Sequence, residues 1–247
     1  MHPLSNKTIL ITGASTGIGA DLVKHLNGLG VQLIISARST EKLAALQSEF
    51  SGVIQIIPAD LTNQEEIQFL AESISTIDGW AHCTGKIQPY PTKFLKKKHI
   101  EDLFAVNFES AVLLFSQLMQ KKKFNPSASL VFLSSISAEF PYMGGALYSA
   151  SKAALTAYVK TIALENAPYL RANIIEPALV KTEMFEQTKT SYKPEDFERF
   201  ISHYPLGVGE TSDISNAISF LLSPESKWIT GSVLRMDGGL LLNSKRD

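Results

Sequence analysis

An uncharged, partly β-branched run, Thr8-Ile9-Leu10-Ile11-Thr12, leads straight into Gly13-Ala14-Ser15-Thr16-Gly17-Ile18-Gly19. The helical pattern Ala20-Asp21-Leu22-Val23-Lys24-His25-Leu26 follows at once. The first run reads as a strand buried on both faces, as in a parallel sheet covered by helices. Glycines at a strand–helix turn let the backbone come close to a bound group. The free N–H groups of the first helical turn favour an anion there, such as a pyrophosphate. The spacing is G-x-x-x-G-x-G, which differs from the commoner G-x-G-x-x-G dinucleotide fingerprint. A tight turn with no ligand is the alternative, and three glycines behind a buried strand argue against it.

The same strand-then-helix rhythm continues along the chain. Helices are expected near residues 17–29, 41–50, 63–76, 97–122, 147–166 and 211–222. Strands are expected near 8–12, 32–37, 53–58, 79–83, 129–134, 171–176 and 232–236. The alternation predicts an α/β fold: a Rossmann-like, doubly wound parallel sheet of about seven strands with helices on both faces. No repeat, low-complexity stretch or linker interrupts it, so residues 1–247 are read as one domain. A net charge of −1 gives no electrostatic case for nucleic acid or an anionic membrane. Lys96-Lys97-Lys98 and Lys121-Lys122-Lys123 are read as solvated helix ends, with an acidic carrier partner as the other reading. The single cysteine, Cys83, allows no intrachain disulfide and is read as a small hydrophobe. No signal-like apolar segment opens the chain and no apolar run approaches membrane-spanning length, so a cytoplasmic location is expected. No Cys/His cluster has metal-ligand spacing, and no catalytic metal is expected.

Tyr148 and Lys152 stand four residues apart in a helical pattern, which puts them on one face. A phenol titrates near ~10 and is a poor proton-transfer group at neutral pH. A neighbouring ammonium would favour phenolate and bring it toward working range. Ser135 closes the strand-like run Leu130–Ser135, and the ends of parallel strands are where such folds place ligand contacts. The second strand ends at Arg38, where an acid would grip ribose hydroxyls and an arginine suits a 2′-phosphate. The expected cofactor is therefore NADP(H) rather than NAD(H), with Ser15 and Thr16 as possible hydroxyl donors.

These motifs together resemble the short-chain dehydrogenase/reductase family in its compact single-domain form, over nearly the whole length. Thr12-Gly13-x-x-x-Gly17-x-Gly19 resembles its cofactor turn, which brings in Ile18. Asp60-Leu61-Thr62 resembles the adenine-contacting segment. Gly85 resembles the glycine that keeps the chain close to the cofactor. Pro177-Ala178-Leu179-Val180-Lys181-Thr182 resembles the loop around the nicotinamide amide, with Pro177, Val180 and Thr182 as contacts. Trp228-Ile229-Thr230-Gly231 and Met236-Asp237-Gly238-Gly239 resemble the C-terminal signature. Asn107, Ser135, Tyr148 and Lys152 resemble the catalytic tetrad. In that role Tyr148 is the general acid and Ser135 polarises the carbonyl. Lys152 tunes Tyr148 and binds the nicotinamide ribose, and Asn107 supports a relay water.

Two departures stand out. His82-Cys83-Thr84-Gly85 replaces the usual Asn-Asn-Ala-Gly, and His82 is either a substitute brace or a satisfied strand-end histidine. Ala178 replaces a glycine and would be strained only if the backbone there has a positive φ. Residues 183–204 break the pattern and by resemblance form a mobile helical lid over the substrate. Its aromatics would line a pocket or anchor the lid. Ala150, Ala153, Ala154 and Ala157 permit close helix packing, and the resemblance implies a homodimer or homotetramer. The resulting expectation is reversible reduction of a small-molecule carbonyl by NADP(H). A 3-oxoacyl-[acyl-carrier-protein] reductase, a sugar or steroid-like alcohol dehydrogenase and a non-catalytic NADPH-binding regulator remain as alternatives.

Overall fold

The computed structural model describes residues 2–50, 52 and 54–242; Val53, the expected first residue of the third strand, lies outside them. The uncharged runs form seven strands. They are β1 Thr8–Thr12, β2 Gln32–Ser36, β3 Ile54–Ile56, β4 Ile77–His82, β5 Phe124–Leu133, β6 Leu170–Pro177 and β7 Val233–Met236. All pair in parallel in one sheet of order β3-β2-β1-β4-β5-β6-β7. The chain therefore winds outward from β1, returns past it to β4, and winds outward the other way. The reversal leaves a crevice at the C-terminal ends of β1 and β4, where such sheets bind ligands.

The helices are α1 Gly17–Gly28, α2 Thr40–Ser48, α3 Gln64–Ser73, α4 Lys97–Phe104, α5 Ser110–Gln120, α6 Ala146–Asn166, α7 Glu183–Thr190, α8 Pro194–Ile201 and α9 Thr211–Leu222. Leu22, Leu26, Leu43 and Ile218 of α1, α2 and α9 pack with Ile9 and Ile35 on one face of the sheet. Ile67, Leu114, Leu155 and Val159 of α3, α5 and α6 pack with Leu10 and Trp80 on the other. Local signals set the helix starts. The Ser39 hydroxyl accepts from Lys42 N at 3.2 Å, and Asn63 Oδ1 accepts from Glu65 N at 2.9 Å.

The boundaries differ from expectation in three places. β5 begins at Phe124, because Asn125-Pro126-Ser127 reads as a turn yet is drawn into the sheet; Ser127 has φ +65° and its N–H bonds Tyr169 O at 2.8 Å. β4 begins at Ile77 because the Asp78 carboxylate is matched there, accepting from Thr8 N at 2.9 Å and pairing with Lys7 at 3.2 Å. The long helix expected over 97–122 is split by a π-turn at Ala105–Glu109. By length and composition Lys97–Gln120 is apolar enough to span a membrane. Its Ala111, Leu114 and Leu118 are fully buried in the core instead. The 183–204 stretch holds two helices, α7 and α8.

A buried polar brace ties the two strands that flank the crevice. Trp80 Nε1 donates to Thr12 Oγ1 at 3.1 Å, and Thr12 Oγ1 meets His82 Nδ1 at 2.9 Å. The Trp80 and His82 rings pack edge-on at 5.2 Å. Thr12→Val keeps the shape but strands both partners, at a cost of about 1–3 kcal/mol for each buried group left unpaired. Thermal unfolding should therefore fall by several degrees in Thr12→Val and stay near wild type in Thr12→Ser; equal midpoints would show that the brace carries no stability.

Candidate active site

A cavity of about 820 Å³ opens along the crevice. At one end it is lined by Gly13 and the Ser15–Gly19 turn, with Arg38, Asp60 and Leu61. Gly85, Pro177, Val180 and Thr182 line its middle course, and Ser135, Tyr148 and Lys152 face the same space. Of the catalytic and cofactor-contact residues expected from sequence, Asn107 alone is absent from the lining. It is fully buried, and its Oδ1 accepts from Lys86 N at 2.8 Å. Its Nδ2 donates to Lys86 O at 3.0 Å and Ser151 Oγ at 3.1 Å. The amide side chain thus braces the segment after Gly85. The π-turn is what points it there.

The residues fit a dinucleotide. A Cβ on Gly13 (φ +73°) would lie 2.7 Å from the Cys83 carbonyl carbon, and one on Gly19 would lie 2.1 Å from Gly13 O. The turn is therefore held flat against its neighbours, with its backbone presented to the cavity. Ser36 Oγ and Thr84 Oγ1, both on cavity-lining residues, are buried without a hydrogen-bond partner among the described residues. Sequence reasoning missed Lys42. It lies on the first turn of α2 and lines the cavity with Arg38 and Ser39, so this end of the cavity carries two cations. Asp60 is partly occupied, since its Oδ1 accepts from Thr62 N at 2.9 Å and Thr62 Oγ1 at 2.8 Å. Thr182 also caps α7, accepting from Phe185 N at 3.3 Å.

The catalytic candidates Ser135, Tyr148 and Lys152 converge on one cavity. Ser135 Oγ accepts from Ser137 N at 3.2 Å and from Ser137 Oγ at 2.9 Å. Its own O–H is left to donate elsewhere. Burial raises the Tyr148 phenol above its ordinary value, opposed by a hydrogen bond with Ser135. Lys152 Nζ lies 6.0 Å from the Tyr148 ring centroid and donates to Leu133 O at 2.8 Å. Burial lowers the lysine to about 8. The ammonium is directed at a carbonyl, and burial is the largest influence on both groups.

The departures resolve in part. Ala178 is absent from the positive-φ residues, so alanine there is unstrained. His82 Nδ1 is bonded to Thr12 while Nε2 is buried without a hydrogen-bond partner among the described residues, and burial holds the ring down at about 3, hence neutral. Burial pushes the Cys83 thiol up to about 12, in keeping with a small hydrophobe. In the 183–204 segment the aromatics do both jobs. Phe185 and Phe197 are buried against each other edge-on at 5.5 Å, while Tyr192 and Phe200, stacked at 5.8 Å, line the cavity.

Lys152 provides a test of this geometry. The fold releases its proton near 8, whereas the unfolded chain holds it to the ordinary 10.5. Between those values the unfolded state binds more protons, so this residue's contribution to stability rises with pH. The unfolding free energy of wild type minus that of Lys152→Met should climb over the window; a flat difference would place Lys152 in water.

The family model described as enoyl-(acyl carrier protein) reductase matches residues 13–241. The chain is 32% identical to the 3-oxoacyl-[acyl-carrier-protein] reductase FabG of Rickettsia bellii, over 98% of this chain and all of the relative. It is 30% identical to a tropinone reductase homolog of Arabidopsis thaliana, over 97% of this chain and 94% of the relative. A short-chain dehydrogenase/reductase of Serratia marcescens superposes with a TM-score of 0.88 at 26% identity, covering 97% of this chain and 99% of that one. Together with the glycine turn and the convergence of Ser135, Tyr148 and Lys152, these matches establish that the chain belongs to the short-chain dehydrogenase/reductase family of oxidoreductases.

Proposed function

We propose that the protein is an NADP(H)-dependent reductase that converts a ketone to an alcohol, reversibly. The observation that carries this reading is that Ser135, Tyr148 and Lys152 line the same cavity as the glycine turn. When bound, the nicotinamide cofactor supplies the hydride to the carbonyl carbon. Ser135, already accepting twice from Ser137, turns its O–H to the carbonyl oxygen and orients it. Tyr148, kept protonated by burial, gives its proton to that oxygen as charge develops. Lys152, beside the ring, stabilises the phenolate left behind. Asn107 holds the backbone of Lys86 so that Gly85 stays close to Lys152 Nζ.

Arg38 and Lys42 favour NADP(H), because two cations at the adenosine end match a phosphate better than ribose hydroxyls. A second reading, reduction of a 3-oxoacyl group on an acidic carrier protein, is favoured by one feature. Lys93, Lys96, Lys97 and Lys98 are exposed on the segment that leaves the cavity after Ile87, and of these Lys97 is paired with Glu101 at 3.2 Å. Comparing free ketones with carrier-bound 3-oxoacyl thioesters in an NADPH-consumption assay separates the two.

Tyr148→Phe should lower kcat by ~10²–10⁴-fold with NADPH affinity unchanged. Full activity would remove Tyr148 from the acid role, and binding without consumption of any carbonyl by wild type would favour a cofactor-sensing regulator. Arg38→Asp combined with Lys42→Ala should raise KM for NADPH by about tenfold or more, the loss of one or two charge-assisted contacts, and leave KM for NADH little changed. Equal loss toward both cofactors would refute the phosphate assignment.

A further inference from the structure

We propose that Glu176 is a positioning residue: as a neutral acid it donates the terminal hydrogen bond of a buried chain through Thr156 and Ser134 to the backbone carbonyl of Lys152. The consequence for turnover rests on the reductase reading above; the state of the chain does not. Glu176 and Ser134 stand at the C-terminal ends of neighbouring strands, each next to a site residue, Pro177 and Ser135. Thr156 lies on α6, one turn beyond Lys152. The chain therefore pins the helix that carries Tyr148 and Lys152 to the two strand ends it faces.

Counting protons fixes the state of the acid. Ser134 Oγ donates to Lys152 O at 3.0 Å. Ser134 Oγ then accepts from Thr156 Oγ1, 2.9 Å away. Thr156 has only one proton, so its contact with Glu176 Oε1, also 2.9 Å, is completed only if the carboxyl donates. Three contacts need three protons, and an ionised Glu176 leaves two. Oε2 has no hydrogen-bond partner among the described residues and the side chain is fully buried, a costly setting for a full negative charge. Burial raises the carboxyl, and Glu139 adds to this; Arg235 of β7 and Lys160 of α6 pull the other way, as would a Thr156 hydroxyl donating to an ionised carboxyl, though the proton count leaves that hydroxyl without a free proton. Arg235 is itself paired to Glu139 at 2.8 Å. The sign follows: as pH rises through the ionisation of Glu176 one link opens and the helix loses a tether.

The test compares wild type, Glu176→Gln and Glu176→Leu. The glutamine amide donates to Thr156 at every pH, while leucine removes the donor. Infrared difference spectra should show a protonated buried carboxyl band at neutral pH that Glu176→Gln abolishes. Glu176→Gln should keep kcat within about twofold of wild type at mildly acidic pH and hold it where wild type declines. Glu176→Leu should lose about tenfold in kcat at all pH, the worth of one hydrogen bond, with NADPH affinity unchanged. Glutamine as slow as leucine throughout, or leucine with the wild-type rate and profile, would overturn the proposal, as would the absence of the band. The infrared readout needs no substrate, so a band in a protein that turns over no carbonyl would refute the reductase reading and leave the hydrogen-bond chain standing.

Discussion

Gly13 has no room for a side chain, and the rest of the site depends on that contact. A Cβ there would fall 2.7 Å from the backbone that leaves β4. The ends of β1 and β4 can approach this closely only because Gly13 is bare, at a φ of +73°. The same two strands are cross-linked just below by Thr12, Trp80 and His82. Backbone proximity above and a buried polar brace beneath thus fix the mouth of the crevice. Everything that lines it, from the first turn of α1 to Gly85, takes its position from this junction.

Burial more than charge sets the chemistry of the site. Tyr148 and Lys152 are each pushed toward their uncharged forms, so the phenol stands ready to give a proton and the amine parts with its own more easily than a lysine in water. A four-residue spacing on a helix gives neighbours, but says nothing about where the ammonium points. Here it points at Leu133 O. Helical spacing therefore identifies the neighbours and leaves out the burial that acts on both.

The parallel sheet and the glycine turn were legible because strict burial on both faces and the need for bare backbone leave few residue choices, as in Thr8–Thr12 and Gly13–Gly19. Arg38 was visible as a charge ending an apolar run; Lys42 was not, since it looks like any exposed helix residue until α2 is laid beside the cavity. The start of β5 was hidden by Asn125-Pro126-Ser127, whose turn chemistry is overridden by pairing with the neighbouring strand. His82 could not be read either way, because its partner Thr12 is seventy residues distant in sequence. Glu176 was passed over for a similar reason: a carboxylate beside a proline reads as surface until its surroundings show it to be sealed.

The π-turn at Ala105–Glu109 sets the phase between two helices. One additional residue in a helical turn rotates the next helix by about 100° relative to an uninterrupted one. Upstream, α4 follows the segment that leaves the cavity after Ile87; downstream, α5 turns Leu114 and Leu118 inward to the core. Asn107 sits at the hinge of that phase change, sealed from solvent. Loss of a single residue from this stretch would put α5 and the Gly85 segment out of step with each other, so its length is held as firmly as its composition.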